Sequence, residues 1–135
     1  MSTNRCANRD LTHYANRHEI AEGYGNMSVD RVYGAGYLPN RLKDIFYNRR
    51  RVISTVVYSY GTPIAWYDSE FEKWFVPSVR YSVTTAKHQG YLWRLNDARR
   101  SIPFDCSLEE YIRVGQDKMY FGSYQTFPGK NWTLD

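Results

Sequence analysis

The feature that most constrains this fold is a dense run of β-branched and aromatic residues in the middle of the chain. Residues 52–60 read VISTVVYSY, and PIAWY and KWFVP follow within the next seventeen positions. Such residues favour strands, and turn-forming residues separate the runs. The segment from 52 to about 84 is therefore predicted to form an antiparallel β-hairpin or three-stranded meander, with VRYSVTT in its last strand. Pro63 cannot donate to a sheet ladder, so a bulge or an edge position is expected there.

Apolar periodicity and capping signals predict four short helices around this β segment. Thr84 or Thr85 is predicted to cap the third helix, and Ser107 with Glu110 matches the capping box of the fourth. The predicted helices cover residues 11–22, 40–50, 84–96 and 107–114.

The chain of 135 residues has the length of a single domain. The predicted class is α+β, with a small antiparallel hairpin or meander over about 52–84 and three or four short helices packed beside it. Within this domain, residues 1–10 are expected to be loose and 11–50 to be helical and basic, with a glycine- and tyrosine-rich loop or short irregular strand over 23–39 between the two helices. Residues 52–92 should form the β core and the start of a helix, and 107–135 a helix and an aromatic tail.

Positive charge is concentrated in the first part of the chain. The formal net charge is +4, and residues 1–51 hold nine Lys or Arg against five acidic residues. This balance permits contact with a polyanion such as nucleic acid. Arg49 and Arg50 are candidate phosphate contacts; alternatively, they offset the negative end of the second helix dipole.

Two cysteines, Cys6 and Cys106, lack the spacing of a zinc site. No window approaches the roughly 18 apolar residues that span a bilayer, and no apolar leader follows Met1. We expect both thiols to be free in a reducing cytoplasm. The presence of two cysteines also permits a single disulfide between them. Neither a metal, a cofactor nor a membrane is expected as a partner.

Aromatic residues make up 17% of the chain, and many of them lie in the β segment, interleaved with cations. A sheet that presents rings and cations can hold single-stranded nucleic acid by base stacking and phosphate attraction. The same side chains anchor protein interfaces. The candidate binding residues on this predicted surface are Tyr58, Tyr60, Trp66, Trp74 and Arg80.

The stretch YSVTTAKHQ, residues 81–89, adds a polar corner to this surface. Its hydroxyls, cation and imidazole are suited to an anion site at a strand end, and equally to an ordinary helix cap with a solvated lysine. The candidate binding residues in this corner are Thr84, Thr85, Lys87, His88 and Gln89.

Two motifs, YSYGTPIAW (58–66) and YSVTTAKHQ (81–89), resemble a pattern found in small uncharacterised proteins of tailed bacteriophages, especially those of actinobacteria. The resemblance covers about residues 52–92. It implies a phage accessory protein acting in the host cytoplasm, and it assigns no catalytic residue. It also implies that the Thr62–Pro63 bend and the polar corner belong to one spatial unit.

These observations favour a non-enzymatic binding protein that engages nucleic acid or a host protein through an aromatic and basic sheet surface. A host-directed inhibitor of a bacterial enzyme or defence complex is the first alternative. A metal-dependent nuclease or hydrolase using His88 is the less favoured one. Exposed strand edges also allow a homodimer.

Overall fold

The computed structural model describes residues 4–96 and 98–117, in which seven strands form one sheet in the order β1 to β7. The central pairings from β2 to β6 are antiparallel, whereas β1 pairs with β2, and β7 with β6, in parallel. The fold is α+β, as predicted, and its sheet is wider than a hairpin or meander. The strands are β1 Asn4–Cys6, β2 Ala21–Gly23, β3 Met27–Asp30, β4 Ile53–Ser59, β5 Thr62–Asp68, β6 Lys73–Ser78 and β7 Ala98–Pro103.

Four α-helices accompany the sheet: α1 Leu11–Asn16, α2 Asn40–Asn48, α3 Val83–Gln89 and α4 Leu108–Gln116. Short 3₁₀ helices cover Asn8–Asp10 and Gly90–Arg94. The predicted capping box of α4 is confirmed, because Ser107 Oγ accepts from the Glu110 N–H at 3.1 Å and the Glu110 carboxylate accepts from the Ser107 N–H at 2.9 Å. Among the described residues, no helix has the length and apolar character that crossing a bilayer requires.

Helices cover both faces of the sheet. On one face, α2 and α4 pack over a cluster that includes Trp66 and Phe75, while α1 and the 3₁₀ helix after α3 pack over Trp74 on the other. Strands buried on both faces read as nearly continuous apolar runs, which is the pattern of β4 and β5.

The β4–β5 hairpin contains the bulge that the sequence predicts. Ser59 pairs with Thr62 and Tyr58 with Pro63, and the register shifts between Val57 and Tyr58. Pro63 lies outside the part of β5 that pairs with β6, which begins at Trp66. The proline is thus accommodated inside a central strand.

Several predicted boundaries are wrong. Residues 4–10 form β1 and a 3₁₀ helix where a loose segment is predicted, and α1 ends at Asn16 where a helix is predicted through residue 22. β2 begins at Ala21, inside that predicted helix, whereas β3 lies in the stretch 23–39 that is predicted to be loop or short irregular strand. Residues 98–103 form β7, a strand that lies outside all of the predicted helices and strands. The strand predicted through VRYSVTT ends at Ser78, and α3 begins at Val83. The aromatic tail predicted over 118–135 lies outside the described residues.

Candidate functional site

The aromatic surface predicted on the sheet is not exposed. Tyr58, Trp66 and Trp74 are all buried. The Trp66 ring packs edge-on against Phe46 of α2, with 5.2 Å between ring centroids, and Trp74 packs against Tyr67 on the opposite face. Because helices cover both faces of the sheet, these rings belong to the core, and the prediction that they face solvent is wrong.

Arg49 forms a buried ion pair and is not free to bind phosphate. Its guanidinium donates to both carboxylate oxygens of Asp68, at 2.9 and 3.0 Å, and to Glu70 at 2.6 Å. The Asp68 carboxylate also accepts from the Tyr111 hydroxyl at 2.8 Å. Although burial lowers the pKa of Arg49, its hydrogen bonds to the two carboxylates raise it above the ordinary value. Arg49 therefore links α2 to β5 and α4.

Arg50 is exposed and lies away from the other candidates. Its guanidinium donates to the Tyr47 carbonyl at 2.7 Å, in the last turn of α2. Such a contact satisfies a helix C-terminus, in agreement with the alternative interpretation of the arginine run.

Four of the predicted residues meet at the opposite end of β4, around an open pocket of about 510 Å³. This volume lies within the usual range of small-ligand sites. The pocket is lined by Tyr37, Ser59, Tyr60, Thr62, Arg80, Tyr81, Ser82, Thr84 and Thr85.

The hairpin turn between β4 and β5 places Tyr60 at the pocket. Tyr60 and Gly61 both have positive φ, 51° and 78°, which is the geometry of a two-residue type I′ turn. Tyrosine seldom adopts this left-handed conformation. The Tyr60 N–H donates to the Asn26 carbonyl at 2.9 Å, and its ring stacks on His88 at 5.8 Å between centroids. The Tyr60 ring, 53% exposed, is therefore fixed at the pocket.

A glycine-containing loop before α2 forms a second wall. The Tyr37 N–H donates to Thr62 Oγ1 at 2.9 Å. Gly36 has φ of +51°, and an added Cβ would lie 2.5 Å from the Gly61 carbonyl oxygen and 2.6 Å from Thr62 Cα. Only glycine allows this approach. Tyr37 is 81% exposed and was not predicted; the GAG sequence before it is the signal that marks the loop.

The start of α3 forms the third wall. Ser82, not Thr84 or Thr85, is the N-cap: its Oγ accepts from the Thr85 N–H at 3.1 Å and donates to Thr85 Oγ1 at 3.1 Å. Gln89 donates to the Val79 carbonyl at 2.8 Å, which ties the helix to the segment that precedes it. Thr84 is exposed and Thr85 is buried against the pocket.

His88 is buried next to the pocket. Its Nδ1 lies 2.7 Å from Ser59 Oγ, and its Nε2 lies 3.4 Å from Asn8 Nδ2. The amide of Asn8 is oriented by Gly25, because Nδ2 donates to the Gly25 carbonyl at 2.7 Å and Oδ1 accepts from the Gly25 N–H at 3.2 Å. Nε2 of His88 therefore accepts from Asn8, and the ring proton resides on Nδ1, where it is donated to Ser59.

This tautomer decides what His88 does chemically. Burial, and to a smaller extent Lys87, lowers the pKa of His88 and favours the neutral ring. A histidine that donates to a serine hydroxyl does not take its proton, so the pair is not arranged to activate a nucleophile. The described residues also contain no group of three or more His, Cys, Asp or Glu side chains placed to hold a metal ion.

Hydrogen-bonding groups and one cation dominate the pocket. Among the described lining residues, Arg80 is the only charged one, and it is exposed. The Tyr81 hydroxyl is buried and has no hydrogen-bond partner in the described part of the chain, and burial raises the pKa of Tyr81 to about 12. The pocket therefore offers aromatic rings, neutral hydroxyls and one guanidinium, which suit a ligand with a planar ring and anionic or hydroxyl oxygens.

The contact between His88 and Ser59 joins the stretches 58–66 and 81–89. Residues 8–106 match the model of a family of unknown function (DUF8033). The chain belongs to this family. Every described residue that lines the pocket lies within the matched range, as does Asn8 beside His88. Comparison with curated proteins and with solved structures gave no match.

Proposed function

We propose that this protein is a non-enzymatic binding protein that holds single-stranded nucleic acid at the pocket between the β4–β5 turn, the loop at Tyr37 and the start of α3. The observation that carries the proposal is the composition of the pocket. Two exposed tyrosines and an exposed arginine surround neutral hydroxyls, and no carboxylate is among the described lining residues.

Each type of side chain in the pocket matches one chemical group of a nucleotide. The rings of Tyr60 and Tyr37 provide stacking platforms, and base–aromatic stacking contributes about 1–3 kcal/mol per base. Arg80 supplies the cation for a phosphate, and the threonine hydroxyls donate to phosphate or sugar oxygens. Because none of these contacts reads a base edge, binding is expected to depend weakly on sequence.

The test is fluorescence anisotropy with a labelled (dT)10 strand at several salt concentrations. Affinity should fall as salt rises, because phosphate contacts release counterions. Arg80→Ala should weaken binding and reduce the salt dependence by about one phosphate contact. Arg51→Ala is the matched control, since Arg51 is exposed near the opposite end of β4. Absent binding, or equal losses in the two variants, would refute the proposal.

Tyr60→Asn separates binding from folding. Asparagine suits the left-handed turn better than tyrosine, so the free energy of unfolding should stay equal or rise. The lost ring should nevertheless weaken (dT)10 binding by about tenfold. A variant that loses stability and binding together would show that Tyr60 serves the fold alone.

A second candidate is a host protein partner, in keeping with a host-directed inhibitor. It is favoured by the exposed tyrosines of the loops and turns, which are the type of residue that anchors protein interfaces. These are Tyr24, Tyr33, Tyr37 and Tyr60. The phage origin and the host cytoplasm stay proposals that rest on the resemblance of the two motifs. A stoichiometric partner recovered from actinobacterial lysate after nuclease treatment, and lost with Tyr37→Ala, would favour this function over nucleic-acid binding.

A further inference from the structure

The outward face of α3 and of the 3₁₀ helix that follows it combines exposed apolar residues with cations. Val83 is 89% and Trp93 65% exposed, and Ala86 and Gly90 lie exposed between them. The inward side is occupied by buried residues such as His88 and Leu92. The exposed tryptophan is therefore not needed for the core.

Positive charge accompanies this face from the pocket to Trp93. Arg80 lines the pocket, and Lys87 and Arg94 follow at seven-residue intervals, all three exposed. None of them forms an ion pair with a carboxylate in the described part of the chain. The guanidinium of Arg94 lies 5.1 Å from the centroid of the Trp93 ring. The sequence from Val79 to Asn96 contains no acidic residue, so this segment itself carries no charge that repels a polyanion.

The length of the path matches a short strand. Six α-helical rises of 1.5 Å and four 3₁₀ rises of 2.0 Å separate Val83 from Trp93 by about 17 Å. At about 3.4 Å for each stacked nucleotide, this distance corresponds to roughly five nucleotides.

We infer that the face formed by Val83, Lys87, Trp93 and Arg94 is a second nucleic-acid subsite, in which Trp93 stacks with a base and Lys87 and Arg94 contact the intervening phosphates. The inference rests on the proposed function, because the strand that reaches Trp93 is the one held in the pocket. An exposed ring backed by an arginine along a purely basic path is the arrangement found where single strands bind without sequence preference. A strand must be longer than about five nucleotides to occupy both subsites.

A length series tests the inference. Binding of labelled (dT)4 and (dT)10 is measured by anisotropy at low salt for the wild type, Trp93→Ala, Trp93→Tyr and Phe104→Ala. Phe104 is a matched control, being an exposed ring outside the path. Trp93→Ala should weaken (dT)10 by about tenfold and leave (dT)4 unchanged, and Trp93→Tyr should restore most of the loss. Lys87→Ala should reduce the salt dependence of (dT)10 alone.

The other outcomes separate this inference from the proposed function. If Trp93→Ala leaves (dT)10 binding intact while Arg80→Ala weakens it, the second subsite is refuted and nucleic-acid binding at the pocket is supported. The Trp93 face would then be free for a protein partner. Equal weakening of (dT)4 and (dT)10 by Trp93→Ala would refute a separate subsite. If neither oligonucleotide binds the wild type, both the inference and the proposed function fail.

Discussion

Replacing Arg49 with methionine is expected to lower the free energy of unfolding by about 3–5 kcal/mol. Arg49 is 12% exposed and its partner Asp68 is fully buried. Removing the guanidinium leaves the Asp68 carboxylate in the interior without its counter-charge, which is the costly way to break a buried ion pair. Methionine keeps much of the aliphatic stem, so the loss reports on the charge more than on packing.

The contacts of the carboxylate set this magnitude. Each hydrogen bond from Arg49 to Asp68 contributes about 1.5–3 kcal/mol, as expected for charged groups. The contact with the exposed Glu70 adds little, because surface ion pairs contribute about 0–1 kcal/mol. Asp68 still accepts from the Tyr111 hydroxyl and the Glu70 N–H, which limits the cost of the remaining charge.

Urea unfolding monitored by tryptophan fluorescence and circular dichroism measures the effect. With a slope of about 2 kcal/mol per molar urea, the midpoint should fall by about 1.5–2.5 M. Arg51→Met is the control, because Arg51 is exposed, and it should change stability by less than about 0.5 kcal/mol. The double variant with Asp68→Asn should lose less than the sum of the single losses. A loss below about 1 kcal/mol for Arg49→Met would show that Asp68 does not depend on Arg49.

Three further predictions concern other contacts. Since the folded-state pKa of His88 lies below the unfolded value of about 6.5, the unfolded chain binds more protons as pH falls. The part of the stability that depends on neutral His88 is therefore complete above about pH 7.5 and decreases as pH drops through 6.5. His88→Gln should remove this dependence in urea titrations at pH 5–8, and an unchanged profile would contradict it. Gly36→Ala should lower stability by about 2 kcal/mol or more, because the added methyl meets Thr62 at positive φ, whereas Gly34→Ala has free space and should have little effect. Tyr111→Phe should cost about 1–3 kcal/mol in urea unfolding, because its buried hydroxyl bridges the Trp66 indole and Asp68; a change below 0.5 kcal/mol would show the bridge to be dispensable.

The central strands and all four helices could be predicted because their signals are local. The β-branched and aromatic runs of β4 to β6, the apolar spacing of α2 and the capping box at Ser107 each lie within ten residues. Strands β1, β2 and β3 have only three or four residues each, too few to show a period of two, and β1 pairs in parallel with β2 across a helix. Their existence depends on partners that are distant in sequence.

The candidate site could be predicted only in part. The polar corner and its meeting with the β4–β5 turn carry sequence signals, and the structure brings them together. Exposure does not follow from those signals, because alternation along a strand identifies two faces without saying whether both are covered. Trp66 and Trp74 lie on opposite faces, and each is covered by helices whose position the sequence does not specify. Tyr37 reaches the pocket through the long-range bond to Thr62.

A fold with helices on both faces of its sheet leaves the strand ends and the outer helix surfaces for recognition. Tyr60 lies at such a strand end, in the turn between β4 and β5. A two-residue turn with two positive φ angles favours Asn-Gly, and this chain has Tyr-Gly. Burial in the core does not offset this unfavourable backbone conformation, because half of the Tyr60 surface is exposed and its ring stacks on His88. A residue that opposes its local backbone preference, with no compensating burial, is typical of a position selected for binding. The left-handed backbone of Tyr60 is in keeping with a binding role for its exposed ring, and the Tyr60→Asn variant tests that role directly.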